Sequence, residues 1–238
     1  MPLKKSKSII FVHGWASGPY VWLNQASYFK DKHKVHTPEL INYNNIKDFI
    51  LKQESDDICL VGWSLGGIVS LKLAGELKGK IKHLVLISST PCFVSSADFE
   101  CAISRDVVEK IYTRMQSDAA GTLHWFYKFC FSPNERSRGG YAEIIKIAGD
   151  FMAPVALDTL LGGLKFLMDT DVRAVLGTLD MPVLVIHGAQ DRVCPPQAAE
   201  FMAKNIKKST MHIIENAGHA PLLTEPDKVN NLIKKFIS

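Results

Sequence analysis

The sequence predicts an α/β fold in which helices cover both faces of a mostly parallel central sheet. Two observations predict it. Six short runs of apolar and β-branched residues recur along the chain, with helical patterns between them. Several of these runs are apolar throughout, as is typical of strands that are buried on both faces. The predicted strands are residues 8–14, 34–40, 57–62, 83–88, 182–188 and 210–215.

Helices are predicted where apolar residues recur at spacings of three and four. Residues 227–237 follow this pattern, so we expect the last helix of the chain there. The long stretch after the fourth predicted strand has helical periodicity but no convincing strand. A structureless loop of that length would be implausible in a compact domain, so we predict a helical cap at 91–169. Residues 1–90 and 170–238 would form the core.

The composition is typical of a soluble globular domain, with 47% hydrophobic and 22% charged residues in a chain of 238. No stretch approaches the roughly 18 consecutive apolar residues of a membrane-spanning helix, and the net charge of +4 includes no dense basic block for nucleic acid. The five cysteines form no CxxC pair, and the basic N-terminus lacks a cleavage site. We therefore expect a cytoplasmic monomer with reduced thiols, no metal and no cofactor.

The clearest chemical signal is a G-x-S-x-G sequence at 62–66, Gly-Trp-Ser-Leu-Gly. It directly follows a predicted strand and directly precedes a segment compatible with a helix. A tight turn between the two would hold Ser64 in a strained conformation, and the glycines would let the chains approach closely. The alternative is a chance match to a short pattern, and the strand–turn–helix context argues against it. Ser64 is therefore the predicted nucleophile.

A serine hydroxyl is a weak nucleophile that needs an adjacent base, and the base needs an orienting carboxylate. Asp191 follows the fifth predicted strand and His219 follows the sixth, which is the chain order this architecture requires. Asp180 competes as the acid, but it precedes its strand and would lie at the opposite end of the sheet. His124 falls in the predicted cap, and Asp171 lies two residues beyond its end. Packing or surface roles are expected for His33, His36, His83, His187 and His212.

Acyl transfer also needs hydrogen-bond donors for the oxyanion that develops on the substrate. The backbone amide of Leu65, directly after the nucleophile, is the first expected donor. The second should come from the loop after the first strand, at Trp15. His13 in that loop invites a catalytic interpretation, but we expect it to brace the loop by hydrogen bonding.

With these motifs in hand, the chain resembles the α/β-hydrolase superfamily along essentially its whole length, with the cap inserted after the sixth-strand position of that fold. Within the superfamily it is similar to the pimeloyl-[acyl-carrier protein] methyl ester esterases of biotin synthesis. The similarity rests on HGW (13–15), GWSLGG (62–67), ISSTPCF (87–93), GGLKFLMDTDVR (162–173), MPVLVIHGAQDRVCP (181–195) and AGHAPLLTEP (217–226).

This resemblance implies hydrolysis of the methyl ester of a pimeloyl chain carried on acyl carrier protein. It also implies an acyl pocket formed by residues near the nucleophile, by the base and by one cap segment. The implied substrate-binding residues are Trp15, Leu65, Phe126, Tyr127, Lys128, Phe129, Cys130 and His219. For the three aromatic residues of the cap segment, packing inside the cap is the alternative.

In such enzymes basic residues on the cap receive the acidic carrier protein. Here the implied contacts are Arg136, Arg138 and Lys146, whereas Gly121, Trp125 and Ala142 stand where further arginines would be expected. From residue 91 to residue 167 eight Lys/Arg face nine Asp/Glu, so a carrier-protein role depends on how these charges are distributed in space.

Two other functions stay open from the sequence. A general short-chain carboxylesterase or thioesterase would share the triad but would act on free acyl substrates. A ligand receptor on the same fold would use the pocket without catalysis, although all three triad positions hold competent residue types.

Overall fold

A computed structural model describes residues 7–40, 42–137 and 155–238 of the chain. Within them lies one six-stranded sheet of order β2-β1-β3-β4-β5-β6, and every pairing between neighbouring strands is parallel. The predicted α/β-hydrolase fold and its six strands are confirmed. The strands are β1 (Ser8–Val12), β2 (Lys34–His36), β3 (Ile58–Trp63), β4 (Ile81–Ile87), β5 (Val183–Gly188) and β6 (Ser209–Ile214).

Helices connect the strands, as parallel pairing requires. A short 3-10 helix, Pro19–Trp22, precedes the first of them. In the described residues the α-helices are α1 (Leu23–Phe29), α2 (Tyr43–Leu51), α3 (Leu65–Glu76), α4 (Arg105–Ser117), α5 (Ala119–Cys130), α6 (Pro133–Ser137), α7 (Leu157–Asp169), α8 (Arg173–Leu176), α9 (Pro196–Asn205), α10 (Pro221–Thr224) and α11 (Pro226–Phe236).

The core lies on both sides of the central strands. Every residue of β1, β3 and β5 is buried, which explains why these runs are apolar throughout. The edge strands β2 and β6 are only partly buried. The last helix, α11, agrees with the segment predicted at 227–237 and packs against α1 and β5.

The chain reverses its direction across the sheet between β1 and β3. From β1 it moves outward to β2, and it then returns to β3 on the other side. In open parallel sheets, ligands bind at the carboxyl ends of the strands next to such a switch point. The loop after β1 and the turn after β3 both lie there, so the fold places residues 13–15 beside Ser64.

The segment between β4 and β5 contains helices α4 to α8. Helix α4 packs against α5 and α7, which agrees with the helical periodicity of the sequence. The cap bounds of 91–169 stay a prediction. All five cysteines are free thiols. Among the described residues, no helix has the length and apolar character needed to cross a membrane.

Candidate active site

The turn from β3 to α3 holds Ser64 in a backbone conformation that residues with a side chain rarely adopt. Its φ is 55° and its ψ is −122°, so the backbone is strained at this residue. The glycines of the motif are required by close contacts. A Cβ atom at Gly66 would lie 2.2 Å from the carbonyl oxygen of Val12, and one at Gly62 would lie 2.4 Å from that of Gly66.

The structure brings the three side chains of the predicted triad together. The Ser64 hydroxyl lies 2.9 Å from His219 Nε2, and His219 Nδ1 lies 2.8 Å from Asp191 Oδ2. His219 is fully buried, and the other two side chains are nearly so. An Nδ1–H that donates to the carboxylate leaves Nε2 free to accept the hydroxyl proton, so the arrangement can activate the serine.

Asp191 is held by three hydrogen-bond donors, and the imidazole of His187 also lies close to it. Its Oδ1 accepts from the amides of Val193 (2.8 Å) and Cys194 (2.9 Å), while its Oδ2 faces His219. Burial alone would raise the pKa of Asp191, but the charge of His219 and the imidazole groups of His187 and His219 beside the carboxylate hold it well below its usual range. The carboxylate therefore stays ionised beside the imidazole.

His187, for which packing was expected, also contacts the catalytic acid. The side chain is fully buried, but its Nε2 lies 3.2 Å from Asp191 Oδ2 and 2.8 Å from the carbonyl oxygen of Cys194. A ring nitrogen that contacts two oxygens carries the proton. The sequence signal that could have identified it is the position of His187 at the end of β5, four residues before the acid.

The two predicted oxyanion donors border the nucleophile. Leu65 is the first residue of α3, where a backbone amide has no acceptor within the helix. Trp15 follows Gly14, at which a Cβ atom would lie 3.1 Å from Ser64 Cβ. The oxyanion role of both amides stays a prediction.

His13 has the contacts of a loop brace. The amide of Leu40 donates to its Nε2 at 2.8 Å, so the proton lies on Nδ1, which donates to the carbonyl oxygen of Gly14 at 2.9 Å. The buried ring thereby joins the loop after β1 to the chain that follows β2.

A cavity of about 620 Å³ lies beside the loop after β1 and extends along α7, and its described lining includes neither Ser64 nor His219. Trp15 and Leu65 line it, as the resemblance implies. The other described lining comes mainly from α7 with the two residues before it, from the loop after β1 and from the segment after β2. The indole N–H of Trp15 donates to the carbonyl oxygen of Leu160 at 2.8 Å, which fastens the loop after β1 to α7. The contribution of α7 was missed, although its Gly162-Gly163 pair stands in one of the motifs.

The predicted acyl-pocket residues of α5 are divided among different places. Phe126 packs edge to face on Trp15 with 4.7 Å between ring centroids. Tyr127 and Cys130 line a separate apolar cavity of about 220 Å³, which also borders Trp63. Phe129 is stacked on Trp125 and covered by the Arg192 guanidinium, whereas Lys128 is exposed. The described lining of the larger cavity therefore includes none of these five residues.

The predicted carrier-protein contacts can be placed only in part. Arg136 lies in α6 and is half-buried. Arg138 and Lys146 lie outside the described residues.

Comparisons with known proteins agree with the hydrolase geometry of the site. The family model described as "Alpha/beta hydrolase family" matches residues 9–232. A pimeloyl-[acyl-carrier protein] methyl ester esterase of Aromatoleum aromaticum is 31% identical in an alignment that covers 96% of this chain and 97% of the relative. An enzyme of the same name from Nitrosomonas europaea is 30% identical, with 92% of this chain and 91% of the relative covered.

Solved structures agree on the fold. An esterase from Exiguobacterium antarcticum superimposes with a TM-score of 0.88 at 19% identity, covering 98% of this chain and 92% of that one. A bromoperoxidase from Bacillus anthracis gives a TM-score of 0.89 at 19% identity, again covering 98% and 92%. The resemblance predicted from the motifs is confirmed: the chain belongs to the alpha/beta hydrolase family.

Proposed function

We propose that the protein is a cytoplasmic serine carboxylesterase that hydrolyses the methyl ester of a pimeloyl chain carried on acyl carrier protein. The observation that carries the chemistry is the continuous hydrogen-bonded path from Ser64 through His219 to Asp191. The substrate is proposed from the relatives at 31% and 30% identity, whose names state that ester.

In the first half of the reaction, Ser64 Oγ attacks the ester carbonyl carbon while His219 Nε2 takes the hydroxyl proton. The ionised Asp191 orients the imidazole and stabilises the imidazolium that forms. The amides of Leu65 and Trp15 donate to the oxyanion of the tetrahedral intermediate, where the N-terminus of α3 also favours negative charge. The intermediate collapses, and methanol leaves with the proton that His219 returns.

In the second half, water replaces methanol. His219 takes a proton from water as its oxygen attacks the acyl-enzyme, and the same amides hold the second oxyanion. Collapse releases the carboxylic acid and returns the proton to Ser64. The cavity of about 620 Å³ has the size of a small-molecule pocket and can hold the acyl chain next to Leu65, the residue after the nucleophile.

The decisive experiment compares kcat/KM for pimeloyl methyl ester on carrier protein with kcat/KM for a free short-chain methyl ester and a free thioester. The proposal expects the carrier-linked ester to be preferred. Ser64→Ala should abolish turnover with an unchanged circular dichroism spectrum, whereas Ser117→Ala, at an exposed serine of α4, should retain it. Turnover by a clean Ser64→Ala preparation would refute the nucleophile.

Carrier binding is tested separately at the cap. Arg136→Glu should raise KM for the carrier-linked ester and leave turnover of the free ester unchanged. Lys234→Glu, an exposed charge reversal on α11, is the matched control. Equal turnover of free and carrier-linked esters would favour a general esterase, and failure of a fluorophosphonate probe to label Ser64 would favour a non-catalytic receptor.

A further inference from the structure

The loop that carries His219 is fastened to the end of the cap helix α5 and to α6. The His219 amide donates to the carbonyl oxygen of Cys130 at 2.8 Å, and the Gly218 amide donates to Glu135 Oε2 at 2.9 Å. A Cβ atom at Gly218 would lie 2.7 Å from the Cys130 oxygen and 2.8 Å from Glu135 Oε2. Only a residue without a side chain allows this close approach.

The carboxylate of Glu135 is the centre of this contact. Glu135 is only 2% exposed, and its Oε2 also accepts from the Ser132 amide at 2.7 Å. Its Oε1 accepts from the hydroxyl of Thr224 at 2.6 Å, in the short helix α10 that follows the loop of the base. One buried carboxylate therefore joins α6 to the chain on both sides of His219.

Part of this arrangement is an ordinary helix start. Ser132-Pro133-Asn134-Glu135 matches the S-x-x-E capping box, and the Ser132 hydroxyl accepts from the Glu135 amide at 3.2 Å. Capping accounts for the bonds between Ser132 and Glu135. It does not account for the bonds to Gly218 and Thr224, which lie 83 and 89 residues further along the chain, or for the burial of an ionisable group.

We propose that Glu135 is a positioning residue that holds the loop of His219 so that the imidazole meets Ser64. The inference rests on the proposed function, in which His219 is the base. Residues 215–220 lie in neither a helix nor a strand, so their placement depends on contacts such as this one. A shift of about 1 Å in a reacting group can lower a rate by about 100-fold. The hydrogen bonds of Glu135 therefore help to maintain the 2.9 Å contact between His219 Nε2 and Ser64 Oγ.

Two substitutions separate the reach of the side chain from its charge. Glu135→Gln keeps the length, because its single oxygen can accept from the Ser132 and Gly218 amides while its amide group donates to the Thr224 hydroxyl. Glu135→Asp keeps the charge but is one methylene too short to span these donors. We expect Glu135→Gln to retain kcat within about threefold and Glu135→Asp to lose about 10- to 100-fold, both with KM nearly unchanged.

Ser132→Ala is the matched control, because it removes the hydroxyl of the capping box and leaves the Glu135 carboxylate and its bond to Gly218 in place. It should lower the melting temperature without lowering kcat. The rate of fluorophosphonate labelling of Ser64 should follow kcat across all variants. If Glu135→Asp retains kcat within about twofold, or if Glu135→Gln loses as much as Glu135→Asp, the positioning role is overturned.

A further variant covers the case in which Glu135→Asp does not fold. Thr224→Val removes only the partner of Oε1 and should lower kcat by about three- to fivefold, in line with the loss of one hydrogen bond. An unchanged kcat in this variant would contradict the inference. Wild-type ester turnover and its loss in Ser64→Ala test the proposed function independently, so the two failures can be told apart.

Discussion

Asp191→Asn should inactivate the protein by forcing His219 into the wrong tautomer. The amides of Val193 and Cys194 both donate to Oδ1, so the oxygen of the new amide group would stay there. Its NH2 group would then face His219 Nδ1, which must accept a hydrogen bond. The ring proton would move to Nε2, where it points at Ser64 and blocks proton transfer.

The size of the effect follows from the free-energy difference between the two orientations of the new amide group. Rotating the amide group would restore the productive tautomer, but it would leave two buried amides without acceptors. Each unsatisfied donor costs about 1–3 kcal/mol, so the productive orientation is disfavoured by about 2–6 kcal/mol. At about 1.4 kcal/mol per tenfold, we expect kcat to fall by a factor of about 30 to 10⁴.

The assay is steady-state turnover of a methyl ester, with the rate of fluorophosphonate labelling as a second readout. Asp180→Asn is the matched control, because Asp180 is exposed and precedes β5 at the opposite end of the sheet. It should behave as the wild type does. Turnover by Asp191→Asn within about tenfold of wild type, in a preparation with the circular dichroism spectrum of the wild type, would refute the tautomer argument.

Three further predictions concern residues around the site. The pKa of Asp191 is lower in the folded protein than its unfolded value of about 3.9. Its contribution to the free energy of unfolding is therefore full above that pH and is lost on acidification. In Asp191→Asn, the free energy of unfolding measured with urea should fall less steeply as the pH is lowered. Gly66→Ala should lower the free energy of unfolding by more than about 2 kcal/mol, because its Cβ would lie 2.2 Å from a carbonyl oxygen. Gly162→Ala, with open space around the new Cβ, is the control, and equal melting temperatures of the two variants would contradict the prediction. His187→Leu should lower kcat about tenfold, and His187→Gln, which keeps a hydrogen-bond donor, should recover most of that loss. His212→Leu, at an exposed histidine, is the control, and equal kcat values in all three variants would exclude a role for His187.

The sheet and the three triad positions could be predicted from the sequence because each depends on local patterns and on chain order. Buried parallel strands are apolar throughout, and residues that follow such strands meet at one edge of the sheet. Ser64, Asp191 and His219 each follow directly or closely after a predicted strand. Their meeting requires only that the strands pair in parallel.

The remaining features depend on how distant segments pack, which periodicity does not specify. Glu135 belongs to a recognisable capping box, but its contact with Gly218 exists only because α6 lies against the loop of the base. The orientation of the cap also decides that α7, and not α5, contributes to the described wall of the larger cavity. His187 lies in an apolar strand, so the sequence suggested packing, whereas its contacts with Asp191 and Cys194 are polar.

The strained backbone at residue 64 has a consequence for how this domain can evolve. A positive φ at a residue with a Cβ atom destabilises the fold by about 1–3 kcal/mol, and glycine is the residue that relieves it. The substitution that would most directly relieve the strain of the turn is therefore the one that removes the nucleophile. At this position a gain in thermal stability costs turnover, and a lineage that no longer used the substrate would be stabilised by a change to glycine.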